Sequence, residues 1–213
     1  MRGESHIVFG LAGAVVIDGI WHLSGSPLIP LIGSHALTPD LVAQKAVFYG
    51  AAAFGSLVPD IDNARSTLGR RLGPISKGIQ HVAGHRTIFH SLVGLALTAI
   101  VIFGVQFGIG ALLLHFGLSD AAHKLDVGLP PQQWLNTGLG LAFIGMLVGY
   151  FLHLVADSLT LGGVPWLWPS RVRYGFPPNR HWRFKTGAPW EPVTVVALSV
   201  LVVIAVWAQV LVV

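Results

Sequence analysis

Apolar residues along the chain gather into long runs, separated by shorter polar stretches rich in Gly, Pro and Trp. A helix crossing a hydrocarbon core of ~30 Å needs ~20 apolar residues, with about 17–25 as the working range. Five runs approach or meet that length, at 7–23, 43–58, 88–116, 139–161 and 193–213. The pattern predicts an all-α fold: a polytopic membrane helix bundle of about five transmembrane helices, forming one integral-membrane domain over residues 1–213. The second run is short and rich in Gly and Ala, which predicts packing inside the bundle, where small residues let backbones approach. The third is long enough to tilt or to extend past the bilayer. The first follows Met1-Arg2-Gly3-Glu4 without a convincing small-residue cleavage site, so it reads as a retained helix.

Composition supports the membrane reading, with 53% hydrophobic and 10% charged residues against about 25% charged in soluble domains. The chain has no cysteine, which excludes disulfides and thiolate metal sites. A metal would have to be held by His and carboxylate, a donor set that suits zinc above all, with manganese or magnesium as further divalent candidates. Ten histidines outnumber the nine acidic residues, although ionisable residues inside membrane spans are rare and tend to be functional.

The loops differ in charge. Residues 63–86 carry Arg65, Arg70, Arg71, Lys77 and Arg86 with no acid, and residues 166–190 carry Arg171, Arg173, Arg180, Arg183 and Lys185 with no acid. Five spans put both basic loops on one side. The positive-inside rule makes that side cytoplasmic, with the N-terminus inside. The net charge of +4 follows from this bias, so the expected partner is the lipid bilayer and no nucleic acid is expected. Trp166, Trp168, Trp182 and Trp190 suit the headgroup interface, where the second basic loop could lie as a cover.

On this topology the chemistry-bearing residues fall at one level. His6 starts span one, Asp60 and Asp62 end span two, His85 and His90 start span three, His153 and Asp157 lie near the end of span four, and Glu191 precedes span five. His153 and Asp157, at i and i+4, share one helix face. Two acids in Pro59-Asp60-Ile61-Asp62 let one ligate while the other takes a second ion or orients an imidazole. His85 and His90 are about 140° apart on a regular helix, so both can reach one ion only if His85 precedes the helix. Buried carboxylates must be compensated, and a divalent ion does that better than neutral imidazoles. Arg86, between the two histidines, is placed to clamp an anion bidentately. Asp18 and His22 form a second i, i+4 pair ~20 Å deeper, which reads as structural. His35, His115, His123 and His181 have no partners in sequence. No HExxH, GxSxG or P-loop pattern occurs.

These elements resemble the YdjM-like family of inner-membrane metal-dependent hydrolases, known for LexA-regulated members. The resemblance rests on His6, on Gly55-Ser56-Leu57-Val58-Pro59-Asp60-Ile61-Asp62, on His85-Arg86-Thr87-Ile88-Phe89-His90-Ser91, on His153-Leu154-Val155-Ala156-Asp157-Ser158, and on Gly187-Ala188-Pro189-Trp190-Glu191. That family is distantly similar to zinc-dependent phospholipase C and P1 nuclease. The similarity implies one zinc among Asp60, His90, His153 and Asp157, a second touching His6 and Asp157, and phosphoester hydrolysis. It also implies the bacterial inner membrane as the location. The expected function is therefore metal-dependent hydrolysis of a phosphoester, lipid or small molecule, at the cytoplasmic interface. It would use one or two ions, Asp62 or Glu191 as general base or orienting group, and Arg86 with its basic neighbours on the substrate. The alternative is a non-catalytic metal-binding membrane protein or a transporter, although transporter sites generally lie near the midplane on broken helices.

Overall fold

The computed structural model describes residues 1–23, 39–83, 87–135, 137–188 and 190–211; His35, His85 and Arg86 lie outside them. Helix α1 (Gly3–Leu23) is followed by α2 (Pro39–Gly55) and a 3-10 turn at Val58–Asp62. Two short helices come next, α3 (Thr67–Leu72) and α4 (Pro74–Ala83), then a 3-10 turn at Ile88–His90 that leads into α5 (Leu92–His115). The short helices α6 (Ser119–Lys124) and α7 (Pro131–Trp134) connect to α8 (Gly138–Ser158), and α9 (Trp190–Leu211) ends the described chain.

Among the described residues, four stretches are long and apolar enough to cross a membrane: Gly3–Ile20, Pro39–Asp62, Leu92–His115 and Gly138–Ser158. The fifth, inside α9, is the shorter apolar run Val193–Ala208. The all-α bundle expected from the hydrophobic runs is therefore present, with shifted boundaries. Span three begins later than residue 88, because Ser91 Oγ accepts from Gly94 N and caps α5 there. His90 consequently sits in the turn ahead of the helix. The first basic loop is not open chain. It folds into α3 and α4, with Ser66 capping α3 by accepting from Gly69 N.

The centre of the bundle is the α2–α8 pair. Its seam is made by backbone contact: a Cβ on Gly149 would lie 1.9 Å from the Ala52 carbonyl oxygen, and one on Gly145 would lie 2.3 Å from the Phe48 carbonyl oxygen. Phe48, Ala52, Ala14 and Leu141 fill the adjacent core. This is the packing expected of a Gly/Ala-rich span. By contrast α5 exposes Leu97, Ile100, Val101 and Val105, the surface a lipid-facing helix presents. Asp18 of α1 is buried, and its partners are Lys45 and Tyr49 of α2, with Tyr49 Oη 2.5 Å away. The structural reading of Asp18 stands: among the described side chains its partners are Lys45 and Tyr49 across the α1–α2 interface, and the side chain of His22, its expected partner, lies outside those described.

Residues 159–188 fold back on the end of α8. Leu161 N donates to Phe184 O and Phe184 N donates to Leu159 O, while Val164 and Tyr174 pair through both backbone groups. Trp166 Nε1 donates to Ser158 Oγ, and Leu92 N donates to Trp166 O, tying this segment to the start of α5.

Candidate metal centre

The turn at Val58–Asp62 is held from three directions. Ser66 Oγ donates to Asp60 O at 2.8 Å, Ser76 Oγ donates to Ile61 O at 2.7 Å, and the turn continues directly from α2. The turn carrying His90 is held by Tyr150 Oη, which donates to Phe89 O at 2.5 Å, and by Ser91 Oγ on Ile88 O at 2.6 Å. With α8 supplying His153 and Asp157 and α1 supplying His6, four elements bring their polar groups to one place. His6, Asp62, His90, His153 and Asp157 are all buried.

His153 Nδ1 lies 2.7 Å from Ser56 O. A carbonyl oxygen only accepts, so Nδ1 carries the proton and the Nε2 lone pair faces the cluster. His90 Nε2 lies 3.4 Å from His153 Nε2, 3.6 Å from Asp60 Oδ1 and 3.8 Å from Asp157 Oδ2. His153 Nε2 is also 3.8 Å from Asp157 Oδ2. Tetrahedral zinc, with ligand bonds of about 2.0–2.1 Å, sets its donor atoms roughly 3.3–3.4 Å apart. The spacing is thus close to what a divalent ion would require, and two imidazoles with two carboxylates are suitable donors. Among the described residues, two groups meet the spacing for metal ligation: His6, His153 and Asp157, and Asp60, His90 and His153.

Asp157 links the two groups. Its Oδ2 faces His90 and His153, whereas its Oδ1 lies 3.4 Å from His6 Nε2 and accepts from the Met1 amino group at 2.6 Å. The His6 ring stacks on His153 with centroids 3.7 Å apart, and His6 Nδ1 is buried with no hydrogen-bond partner among the described residues. One carboxylate facing two imidazole sets is a geometry that accommodates one ion or two.

Asp62 and Glu191 take orienting positions. Asp62 is fully buried, with Oδ2 3.4 Å from His90 Nδ1, on the opposite side of the ring from the other donors. That is the carboxylate–histidine arrangement that fixes a ligand's tautomer and raises its basicity. Glu191 spans to the first turn of α1: Oε1 accepts from Arg2 N at 2.6 Å and Ser5 Oγ at 2.7 Å, and Oε2 accepts from Gly187 N at 2.6 Å. It thus braces the turn that carries His6. His81, His115, His123 and His181 are exposed, away from the cluster.

Glu191 sets a pH dependence. Burial pushes its carboxyl up, but the bonds from Ser5, Arg2 and Gly187 outweigh this and hold it below the ordinary carboxylate range. A group with a lowered folded-state pKa stabilises above its unfolded value and loses that contribution as pH falls through the ordinary and then the lowered value. Glu191→Gln should therefore be less stable than the unsubstituted chain at pH 7, by about 2 kcal/mol for lost charge-assisted bonds. The melting-temperature gap in detergent should narrow as pH falls below about 4.5. A gap that is constant with pH would remove the ionised carboxylate from this role.

Sequence reasoning missed several contributors. Ser56 acts through its backbone oxygen, which no motif reveals. Lys45, inside the second apolar run, is buried against Asp18. Arg2, Arg65 and Arg70 come together only once α3 folds over the start of α1.

Fold and cluster together define a polytopic α-helical membrane protein with a buried His/Asp centre at one end of its bundle. The chain belongs to the YdjM inner membrane protein family, whose sequence profile matches residues 1–212. It is 34% identical over 179 residues to the inner membrane protein YdjM of Escherichia coli (strain K12), an alignment covering 83% of this chain and 70% of that protein. The YdjM of Shigella flexneri gives the same identity and coverage. The uncharacterized protein YvsG of Bacillus subtilis (strain 168) is 27% identical over 177 residues, covering 83% of this chain and 79% of that one. No solved structure matches.

Proposed function

We propose that this protein is a membrane-embedded metal-dependent hydrolase acting on a phosphoester at the cytoplasmic face of a bacterial inner membrane, with its N-terminus cytoplasmic. The observation that carries this reading is the meeting of His90 Nε2 with His153 Nε2, Asp60 Oδ1 and Asp157 Oδ2, and of His153 Nε2 with Asp157 Oδ2, at separations of 3.4–3.8 Å, with one edge open. The Asp60 side chain is 14% exposed, against 0–1% for His90, His153 and Asp157. That exposed edge gives a substrate an approach to the donors.

Zinc, or manganese, bound there would supply a fixed positive charge that polarises water and a phosphoryl oxygen. The protein's own groups do the rest. Asp62 Oδ2 sits 3.4 Å behind His90 Nδ1 and Ser56 O holds the Nδ1 proton of His153, so both rings turn their Nε2 atoms inward. The buried walls exclude bulk water, which strengthens the electrostatics inside. Glu191 and the first turn of α1 keep His6 against His153. Helix α4 exposes Ile75 and Val82 near Lys77, as a helix lying in a headgroup region does, which suits a substrate presented at the membrane surface.

The test is turnover by purified, metal-loaded protein on a panel of lipid and soluble phosphoesters. The unsubstituted chain should release phosphate or headgroup, and Asp157→Asn and Asp60→Asn should each lower the rate by roughly 100-fold or more, the scale expected when developing charge loses its stabiliser. Asp60 is the least buried of the donors, so its variant separates catalysis from folding. Stoichiometric metal without turnover on any phosphoester would leave a metal-binding membrane protein and overturn the hydrolase reading.

A further inference from the structure

A cavity of about 350 Å³ lies against the open edge of the metal centre. Asp60 forms part of its wall, and Arg2, Arg65 and Arg70 surround it together with Asn63 and Thr67. The space corresponds to roughly ten waters at ~30 Å³ each, enough for a phosphoryl group and part of its ester substituent. All three arginines are exposed, and none forms an ion pair with a carboxylate among the described residues. Glu4 also lines the cavity, but it is exposed and has no ion-pair partner among the described residues, and Asp60 faces His90.

Three guanidinium groups from two chain segments, without a carboxylate partner among the described residues, line one cavity beside Asp60. Arginine is the residue best shaped to bind phosphate oxygens in bidentate pairs. The segment carrying Arg65 and Arg70 is fixed in place: Ser66 Oγ donates to Asp60 O, and Asn63 O lies directly against Gly69. Arg65 and Arg70 are therefore positioned by the same turn that presents Asp60, and Arg2 by its backbone bond to Glu191.

We infer that Arg2, Arg65 and Arg70 form a binding site for a dianionic phosphate, that of a phosphomonoester, and hold it at the Asp60 edge of the metal centre. This names the substrate class of the hydrolase reading and rests on that reading for its purpose. Three free cations match a terminal phosphate carrying close to two charges. A zwitterionic diester headgroup, whose own cation would meet the arginines, fits poorly. The phosphomonoester could belong to a lipid or to a soluble molecule; the recognition chemistry is the same.

The experiment is calorimetric titration of inorganic phosphate into zinc-loaded protein in phosphatidylcholine nanodiscs, with zinc content measured on the same samples. Arg65→Ala/Arg70→Ala should weaken phosphate binding roughly tenfold or more, as loss of charge-assisted bonds predicts, with zinc content unchanged. Arg65→Lys/Arg70→Lys should recover part of the loss. Nanodiscs containing phosphatidate should compete with phosphate if the natural ligand is a lipid monoester; competition by a soluble phosphomonoester but not by phosphatidate would assign a soluble one. Phosphatidylglycerol, an anionic diester, should compete weakly. Unchanged phosphate affinity in the alanine variant, or no phosphate binding by zinc-loaded protein, overturns this site while leaving the metal centre intact. Absence of bound zinc overturns the hydrolase reading instead, and phosphate affinity of the metal-free pair of proteins then decides the arginine site by itself.

Discussion

His153→Gln protein, purified in detergent and loaded with zinc, is expected to bind the metal at least ~100-fold more weakly than the unsubstituted chain. The estimate is a floor, because removing even a group that merely orients a ligand costs about 10–100-fold. His153 belongs to both candidate ligand groups. Its Nδ1 is anchored on Ser56 O, its Nε2 meets His90 and Asp157, and its ring is stacked on His6. Glutamine keeps much of the volume and can still donate to Ser56 O, so folding should survive while the inward-facing nitrogen lone pair is lost. Elemental mass spectrometry after dialysis, compared with an elution profile for folded protein, makes the measurement. Full zinc stoichiometry in a folded His153→Gln protein would mean that the cluster does not bind metal through this residue.

The second large effect is structural. Gly149→Ala is expected to destabilise the bundle by about 3 kcal/mol, at the upper end of what overpacking costs, and to lower metal content with it. The three nearest atoms to an added methyl are all Ala52 backbone atoms, at 1.9, 2.7 and 2.9 Å. A side chain could rotate away, whereas these atoms can move only if α2 and α8 separate. That separation pulls Asp60 and Asp62, beyond the end of α2, away from His153 and Asp157 on α8. Gly50 and Gly104 supply the controls, because a Cβ at either meets nothing within 4 Å. Alanine there should be neutral or stabilising by up to about 1 kcal/mol, the helix-propensity gain. Thermal unfolding in one detergent, followed by size-exclusion recovery, compares the three. Equal stability of Gly149→Ala and Gly50→Ala would show that the seam is looser than this.

Much of this architecture was legible because membranes impose long apolar runs, and five of them are hard to mistake. The site was legible for a related reason: polar residues are costly in such helices, so His6, Asp60, His90, His153 and Asp157 stood out by position and fell at the same end once topology was assigned. The spacing of His153 and Asp157 placed both on one face before any coordinate. What sequence could not supply was the division of labour among them. Asp62 differs from Asp60 by two positions, yet a tight 3-10 turn sends one behind the His90 ring and the other to the open edge. Glu191 reads, with Asp62, as a general base or orienting group, but its partners are set by where α9 begins relative to the first turn of α1. The Asp18–Lys45 pair was invisible because it depends on how two helices rotate against each other. The same holds for the arginine-lined cavity, since the fold of residues 63–83 was read as loop.

The near-complete enclosure of the donors bears on timing. Among the described residues Asp60 is the exposed edge of the donor set, so an ion bound there would enter or leave past it, and His153 and Asp157 move only when the packed helix α8 does. Exchange with a chelator should therefore be slow, limited by opening of the bundle more than by the intrinsic lability of the metal–imidazole bond. Any ion the centre binds would then be the one available while the helices were assembling in the bilayer, and a later change in the supply of competing metals would be felt only by newly made chains.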